Sequence, residues 1–334
     1  MNRFVLVLFS ILSCLSLCAQ QTASDMNLQG NVKRLYTYKH LADSIEIKNK
    51  TDVSFRKLTL LEHIEYIFEK NGFLLAENIF DKEKDLLEQS YIYTFDENEN
   101  LIEITRAQKG RFLMGRTEYK YDKQGKRTQG LVYDNQDSLR NTINYKYDSL
   151  GNLISEQTFN MINIKIQDLL HQYDENGNCF FTMSLPTRAY KSKAYRKSQK
   201  FDQRNNLIYQ SYTETDSLRW EYFAKYNAGD KLIYEEVKDG NGVTTTRNEL
   251  KYDKNNNRIS IKQYNKNMEI TDLETYYEYA RGQLQSEKVY THKKKELLKI
   301  KRYFYDDIGN WTFCIEEDKK TGNTIVHSRR ISYF

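Results

Sequence analysis

The sequence predicts an all-β fold, a long antiparallel sheet built from tandem β-hairpins. Two observations support this prediction. A short phrase, "YKYDSLGN" at 145–152 in one copy, recurs along most of the chain at a nearly constant interval, and a fixed period marks a repeat architecture. Within each copy, aromatic and polar residues alternate, as in "EYKYD" at 118–122. That alternation is typical of a half-buried strand.

The second aromatic residue of each phrase serves as the structural anchor of a repeat. Successive anchors lie about 26 residues apart. Each unit should therefore pack against its neighbours, since a lone hairpin is only marginally stable in water. The ten predicted anchors are Phe68, Phe95, Tyr121, Tyr147, Tyr173, Phe201, Tyr226, Tyr252, Tyr279 and Tyr305.

A turn follows each anchor. Asp and Asn cap turn conformations and Gly adopts positive φ, which explains pairs such as Asp148 with Gly151. A second polar cluster about fifteen residues after each anchor indicates another turn. Each unit thus holds two strands, and about twenty strands would extend roughly 100 Å if the sheet were flat. We expect one continuous sheet that is strongly twisted and curled into a spiral or solenoid.

The N-terminus resembles a secretory signal, with Arg3 followed by an apolar run from Phe4 to Leu17. We expect residues 1–19 to be the signal peptide, with cleavage after Ala19. Attachment of lipid to Cys14 is the alternative route. The chain should therefore be exported to the periplasm, the cell surface or the extracellular space, with a Gram-negative envelope as the setting, and the mature chain should contain no transmembrane span.

Two regions are expected in the mature chain. Residues 20–65 should form an N-terminal half-repeat plus an insertion or capping element, because 39–60 does not follow the repeat. Residues 66–334 should form a single domain of about ten hairpin repeats. Export would leave Cys179 and Cys314 as the two cysteines, and the five repeats between them argue against a disulfide.

Composition and motifs point away from several functional classes. The formal net charge of +5 over 334 residues is too small for a dedicated nucleic-acid binder. The sequence has no Cys-x-x-Cys motif, phosphate-binding Gly loop or nucleophile elbow, and its five His do not fall at metal-ligand spacing. We therefore expect no cofactor, no metal and no catalytic residues, although sequence alone leaves enzymatic activity open.

The anchor phrases also carry a resemblance to a known family. "YKYDKQGKR" at 119–127, "YKYDSLGNLI" at 145–154, "QYDENGNCF" at 172–180, "KYDKNNNRI" at 251–259 and "FYDDIGNW" at 304–311 resemble YD repeats of the Rhs type. Such repeats occur in teneurins and insecticidal toxin shells. The resemblance covers residues 66–334 and implies a spiralling sheet of hairpins. In large members that sheet encloses a cargo domain, and some relatives are associated with carbohydrate.

Three features could serve binding. The segment 186–200 interleaves Tyr190 and Tyr195 with six basic residues that include Arg196. Such a mixture could bind nucleic acid, but one loop is weak support, and nucleic acid is not expected. Trp220 could stack on sugar rings, whereas Trp311 fills a slot held by Leu elsewhere and should pack in the core. A recurring lysine on the face opposite the anchors could follow a polyanion, although a solvated, charge-mixed face is the simpler interpretation: Lys120, Lys146, Lys200, Lys225 and Lys251.

The expected function is an exported repeat scaffold that binds a glycan or an envelope or extracellular protein. Two alternatives stay open. One is a glycan-active hydrolase with two carboxylates about 5 to 10 Å apart in a cleft. The other is a purely structural component of the envelope. An outer-membrane barrel is disfavoured, since charges such as Lys197 and Lys301 fall in the aromatic phase of the strands.

Overall fold

A computed structural model describes residues 22–47, 53–109, 112–187, 194–264, 270–291 and 294–334. The described residues form 22 antiparallel strands in one sheet. The strands are β1 Val32–Ile47, β2 Val53–Phe68, β3 Leu74–Phe80, β4 Leu87–Phe95, β5 Leu101–Gln108, β6 Phe112–Tyr121, β7 Arg127–Tyr133, β8 Leu139–Tyr147, β9 Leu153–Asn160, β10 Lys165–Tyr173, β11 Cys179–Ser184, β12 Tyr195–Phe201, β13 Leu207–Glu214, β14 Ser217–Tyr226, β15 Leu232–Asp239, β16 Thr244–Tyr252, β17 Arg258–Tyr264, β18 Ile270–Ala280, β19 Gln283–Thr291, β20 Leu297–Tyr305, β21 Trp311–Asp318 and β22 Thr324–Tyr333.

The predicted anchors mark strand ends. Nine of the ten are the final residues of even-numbered strands, and Tyr279 is the penultimate residue of β18. Tyr333 ends β22 in the same way. The turns that follow the even-numbered strands lie at one end of the sheet, here called the YD end, and those that follow the odd-numbered strands lie at the opposite end, here called the far end. The prediction of a hairpin repeat is confirmed.

Seven turns at the YD end are organised by an aspartate carboxylate, as predicted. In the turn after β8, Asp148 Oδ1 accepts hydrogen bonds from the backbone N–H groups of Leu150 and Asn152, at 3.0 and 2.8 Å. Gly151 has a φ of 92° and donates its N–H to the carbonyl of Asp148. Hydrogen bonds from the Asn152 side chain and backbone keep the pKa of Asp148 below its usual value.

The tyrosine anchors connect neighbouring units. The hydroxyl of Tyr173 donates to the carbonyl oxygen of Leu153, which begins the preceding strand, at 2.9 Å. The same bond recurs at Tyr121, Tyr226, Tyr252 and Tyr305. Phe occupies the anchor position at 95 and 201, so this bond supplements the packing of the ring.

The sheet closes on itself, and in this respect the expectation of an open, spiralling sheet was wrong. Consecutive strands pair throughout, and β1 also pairs with β22 from Val32↔Tyr333 to Ala42↔Thr324. The result is a 22-stranded barrel. Closure satisfies the backbone groups that the two edge strands of an open sheet would leave unpaired.

The seam between β22 and the N-terminal segment is held at the YD end by a polar clamp. Asn310 is only 2% exposed. Its side chain accepts a hydrogen bond from Gln29 N at 2.7 Å and donates to Gln29 O and to the Tyr333 hydroxyl. Tyr333 in turn donates to Asp306 Oδ2 at 2.9 Å.

A hydrophobic cluster lies beside this seam. Residues of the N-terminal segment pack on side chains of β1, β2 and the start of β3, and the buried members are Ala23, Leu28, Val32, Leu35, Phe68 and Leu74. This cluster anchors the first hairpin against the end of the chain. The clamp and the cluster together explain why the ring closes at these particular strands.

The described residues of the stretch at 39–60, which does not follow the repeat, lie in the two longest strands, at 39–47 in β1 and 53–60 in β2. β1 pairs with β22 only as far as Ala42, and β2 pairs with β3 only from Ile64. The β1–β2 hairpin therefore extends past the far end. Phe55 in this extension packs against Phe313 of β21, with ring centroids 6.3 Å apart. The extension thus folds back over the sheet at Phe313.

The two faces of the sheet differ in chemistry. The face that carries Tyr119, Tyr145 and Tyr303 is called the tyrosine face, and the opposite one the lysine face. The five predicted lysines, Lys120, Lys146, Lys200, Lys225 and Lys251, are all exposed on the lysine face, as predicted.

The tyrosine face lines the interior of the ring. Burial raises the pKa of Tyr66, Tyr93 and Tyr145 to about 12 and that of Cys314 to about 11. All four lie on this face. In a closed sheet the inner side chains converge and the outer ones diverge, so the more strongly desolvated face is the inner one.

Candidate binding sites

The predicted binding residues do not form one site. Tyr190 and Cys14 lie outside the described residues. Tyr195 and Trp220 lie on the tyrosine face of β12 and β14, whereas Arg196 lies on the lysine face, 3.4 Å from Asp216. Because side chains alternate along a strand, neighbours such as Tyr195 and Arg196 cannot serve the same surface.

Tyr195 and Trp220 belong to an aromatic row that also contains Tyr212, which sequence reasoning missed. The ring centroids of Tyr195 and Tyr212 are 5.7 Å apart, and those of Tyr212 and Trp220 are 5.9 Å apart. The direct pairing Tyr212↔Trp220 across the short β13–β14 turn creates this contact. Counting outward from that turn would have revealed it.

Charged groups flank the aromatic row at the far end. Arg219 donates to Glu214 Oε2 at 2.9 Å, and Glu214 stands opposite Tyr195 in the register. Asp239 stands opposite Trp220. Burial raises the pKa of Tyr212, helped by the nearby Glu214. All three rings are half-buried, and they lie beside a carboxylate and a guanidinium group.

Trp311 takes up a packed position, in line with its predicted core role. It stands edge-on to Tyr303 with a centroid separation of 6.3 Å. The guanidinium carbon of Arg329 lies 3.7 Å from the centre of the Trp311 ring. The indole therefore joins β20, β21 and β22 on the inner face, close to the seam.

A groove of about 740 Å³ crosses the lysine face from β16 to Lys295, which lies between β19 and β20. Its carboxylates are all engaged. Glu274 bonds Lys295 and accepts from the Tyr276 hydroxyl at 2.9 Å. Glu278 bonds Lys288 at 2.5 Å, and that bond lowers its pKa. A glycoside hydrolase needs one carboxyl group with a raised pKa as its acid, so this groove does not favour the hydrolase alternative.

A smaller pocket of about 360 Å³ near the far end includes His63. His63 is 5% exposed and is stacked between Tyr38 and Phe80 at 4.3 and 4.1 Å. Its Nδ1 lies 2.6 Å from Asp85 Oδ1, and its Nε2 has no partner in the described part of the chain. No sequence motif indicated this pair, because the two residues belong to different hairpins.

Within the described ranges, no three His, Cys, Asp or Glu side chains are placed to hold a metal ion. Neither Cys179 nor Cys314 forms a disulfide within the described residues.

The described residues contain no helix that is long and apolar enough to cross a membrane.

Comparison with known proteins gives limited similarity. No family model and no curated protein matches the chain. Among solved structures, the crystal structure of TcdB2-TccC3-Cdc42 matches with a TM-score of 0.42 and 13% identity, over 80% of this chain and 15% of that chain. The Photorhabdus luminescens Tc holotoxin pore matches with a TM-score of 0.28 and 12% identity, over 78% of this chain and 17% of that one.

A porin-like protein from Bacteroides uniformis matches with a TM-score of 0.33 and 7% identity, over 91% of this chain and 98% of that one. The chain spans less than a fifth of the two toxin chains named above. At these TM-scores the likenesses carry no functional inference.

Proposed function

We propose that this chain is a short member of the YD-repeat family, exported to the envelope or the extracellular space, that binds a glycan inside its ring. The observation that supports this proposal is the aromatic row of Tyr195, Tyr212 and Trp220 on the inner face. Aromatic rings beside hydrogen-bonding carboxylate and guanidinium groups suit a ligand with apolar faces and polar edges. Sugars have that character.

The size of the ring is compatible with a polymer ligand. Twenty-two strands at about 4.8 Å give a wall about 105 Å around, or roughly 34 Å across if circular. The diameter of such an interior exceeds the combined length of two side chains that point inward from opposite walls. The interior is both aromatic and polar, since Lys197, Lys301 and Glu316 lie on the tyrosine face.

The test is retardation of residues 20–334 in native affinity gels that contain one of a panel of envelope and host polysaccharides. We expect one polymer class to retard the protein and a Trp220→Ala variant to lose at least half of that retardation. Phe313→Ala is the matched control, because Phe313 is an aromatic residue of the lysine face. Absence of retardation by every polymer would contradict glycan binding.

A second candidate function is docking to an envelope or extracellular protein through the far end. Large apolar side chains are exposed at three of the turns there: Leu86 is 63% exposed, Phe112 64%, Met161 63% and Ile162 68%. Exposed apolar clusters of this kind mark interaction surfaces. A Phe112→Ser/Ile162→Ser variant that still binds its polysaccharide but no longer cross-links to an envelope protein would favour this second function.

A further inference from the structure

Arginines on the two faces of the sheet have different partners. On the lysine face, Arg34, Arg116, Arg140, Arg247 and Arg302 each form an ion pair with a carboxylate. On the tyrosine face, Arg127, Arg258 and Arg329 have no ion pair within the described residues. These five outer arginines are thus neutralised by a carboxylate, whereas these three inner ones are not.

Each of these three inner arginines lies over an aromatic ring instead. The guanidinium carbon is 3.9 Å from the ring centre of Tyr119 for Arg127, 4.5 Å from Tyr277 for Arg258, and 3.7 Å from Trp311 for Arg329. A stacked guanidinium is held by one flat face, and its N–H edge stays free for a bidentate acceptor.

Two of the three leave donors unsatisfied. Arg127 Nε and Arg329 Nε and Nη1 are buried and have no hydrogen-bond partner in the described part of the chain. Buried cations are normally paired, because an isolated buried charge is strongly unfavourable. Burial also lowers the pKa of Arg329 to about 10. Such an arrangement is expected where a ligand supplies the missing anion.

The three arginines share one end of the ring. Arg127 and Arg258 are the first residues of β7 and β17, directly after turns at the YD end. Arg329 stacks on Trp311, the first residue of β21. The strands that carry them lie five, seven and ten strands apart around the ring, so the closest two are separated by about 24 Å of wall. One small anion could not reach all three, whereas a polymer with repeated anionic groups could.

We propose that Arg127, Arg258 and Arg329 bind carboxylate groups of an acidic polysaccharide that enters the ring at the YD end. This inference rests on the proposed function, since it assigns a charge class to the glycan. Guanidinium and carboxylate groups match in a planar, bidentate geometry. The aromatic ring beneath each guanidinium offers an apolar surface next to the bound carboxylate, as a uronic acid residue requires.

The test compares one polymer in two charge states. Binding of residues 20–334 to polygalacturonate and to the same polymer with methyl-esterified carboxyl groups is measured by isothermal titration calorimetry at physiological salt. We expect binding to the free acid and at least tenfold weaker binding to the ester. A variant with Arg127→Gln, Arg258→Gln and Arg329→Gln should bind the free acid at least tenfold more weakly.

The matched control is Arg247→Gln. Arg247 also stacks on a tyrosine, 4.6 Å from the Tyr264 ring centre, but on the lysine face and paired with Glu249. The Arg247→Gln variant should bind polygalacturonate with an affinity within twofold of that of the parent. Arg258 is exposed, so the single variant Arg258→Gln should fold and should still weaken binding measurably if the triple variant does not fold.

The outcomes separate the two proposals. The inference would be overturned if polygalacturonate and its methyl ester bound equally, or if polyphosphate bound as tightly as polygalacturonate. It would also be overturned if Arg258→Gln and the triple variant kept the affinity of the parent. Retardation by a neutral polysaccharide without binding of polygalacturonate would also overturn it while leaving the proposed function in place. Failure of every polysaccharide in the panel, polygalacturonate included, would contradict the proposed function itself.

Discussion

Replacement of Arg329 by Met should make the ligand-free protein more stable. Methionine keeps most of the length and the contact with Trp311 but removes the charge. Most substitutions of half-buried residues destabilise a protein, so the expected sign is unusual. It follows from the absence of an ion pair at Arg329 within the described residues and from its two buried, unpartnered nitrogens.

The magnitude follows from the pKa of the group. Burial lowers the pKa of Arg329 from 12.5 to about 10, which corresponds to about 3 kcal/mol against the charged form. Solvent around this half-buried side chain reduces that figure to about 2 kcal/mol. Loss of the cation–π contact with Trp311 offsets about 1 kcal/mol of it. The variant should therefore gain about 1 kcal/mol.

The assay is equilibrium urea unfolding followed by circular dichroism at neutral pH. Arg247→Met is the control, because it leaves Glu249 without its cation and should lose about 1 kcal/mol. A loss of more than about 1 kcal/mol in Arg329→Met would refute the reasoning. It would mean that Arg329 supports the fold as a paired arginine does.

Other predictions concern the repeat itself. Tyr173→Phe removes the hydrogen bond to Leu153 and should lower the free energy of unfolding by about 1 kcal/mol; no change in a urea titration would show that the bond contributes nothing. Asp148→Ala should lower the melting temperature more than Asp148→Asn, because Asn227 already fills this role in another unit. The depressed pKa of Asp148 adds stability above its unfolded pKa that is lost as the pH falls, so Asp148→Asn should be less acid-sensitive than the parent; identical acid transitions would contradict this. The raised pKa of Tyr145, about 12, contributes stability that is lost as the pH rises from 10 towards 12, and Tyr145→Phe should lose less stability over that range in urea titrations; an equal loss would count against burial of the phenol.

Much of the fold could be predicted from the sequence because it is local. The alternation around Tyr121 fixes a strand, Asp148 and Gly151 fix a turn, and repetition extends both along the chain. Closure is not local. It depends on the pairing of β1 with β22 and on Asn310 reaching Gln29, and no single hairpin encodes the curvature that brings these ends together.

The candidate sites were predicted less well for the same reason. Composition pointed to Tyr195 and Trp220, but their partner Tyr212 emerges only from the cross-strand register. The inner arginines look like other arginines in the sequence. Arg329 and Arg247 occupy opposite faces of the sheet, and which of the two faces is the inner one depends on closure.

Closure of the ring is the central claim, and a disulfide between the terminal strands tests it most directly. Arg34 of β1 pairs with Ser332 of β22 on the lysine face. In a chain with Cys179→Ser and Cys314→Ser, the double substitution Arg34→Cys/Ser332→Cys should oxidise to an intramolecular disulfide within the monomer, read by mass and by non-reducing gel mobility. The control pair Arg34→Cys/Ser198→Cys, with Ser198 in β12, should remain reduced. Failure of the first pair to oxidise would place β1 and β22 at opposite edges of an open sheet and would contradict the closed ring.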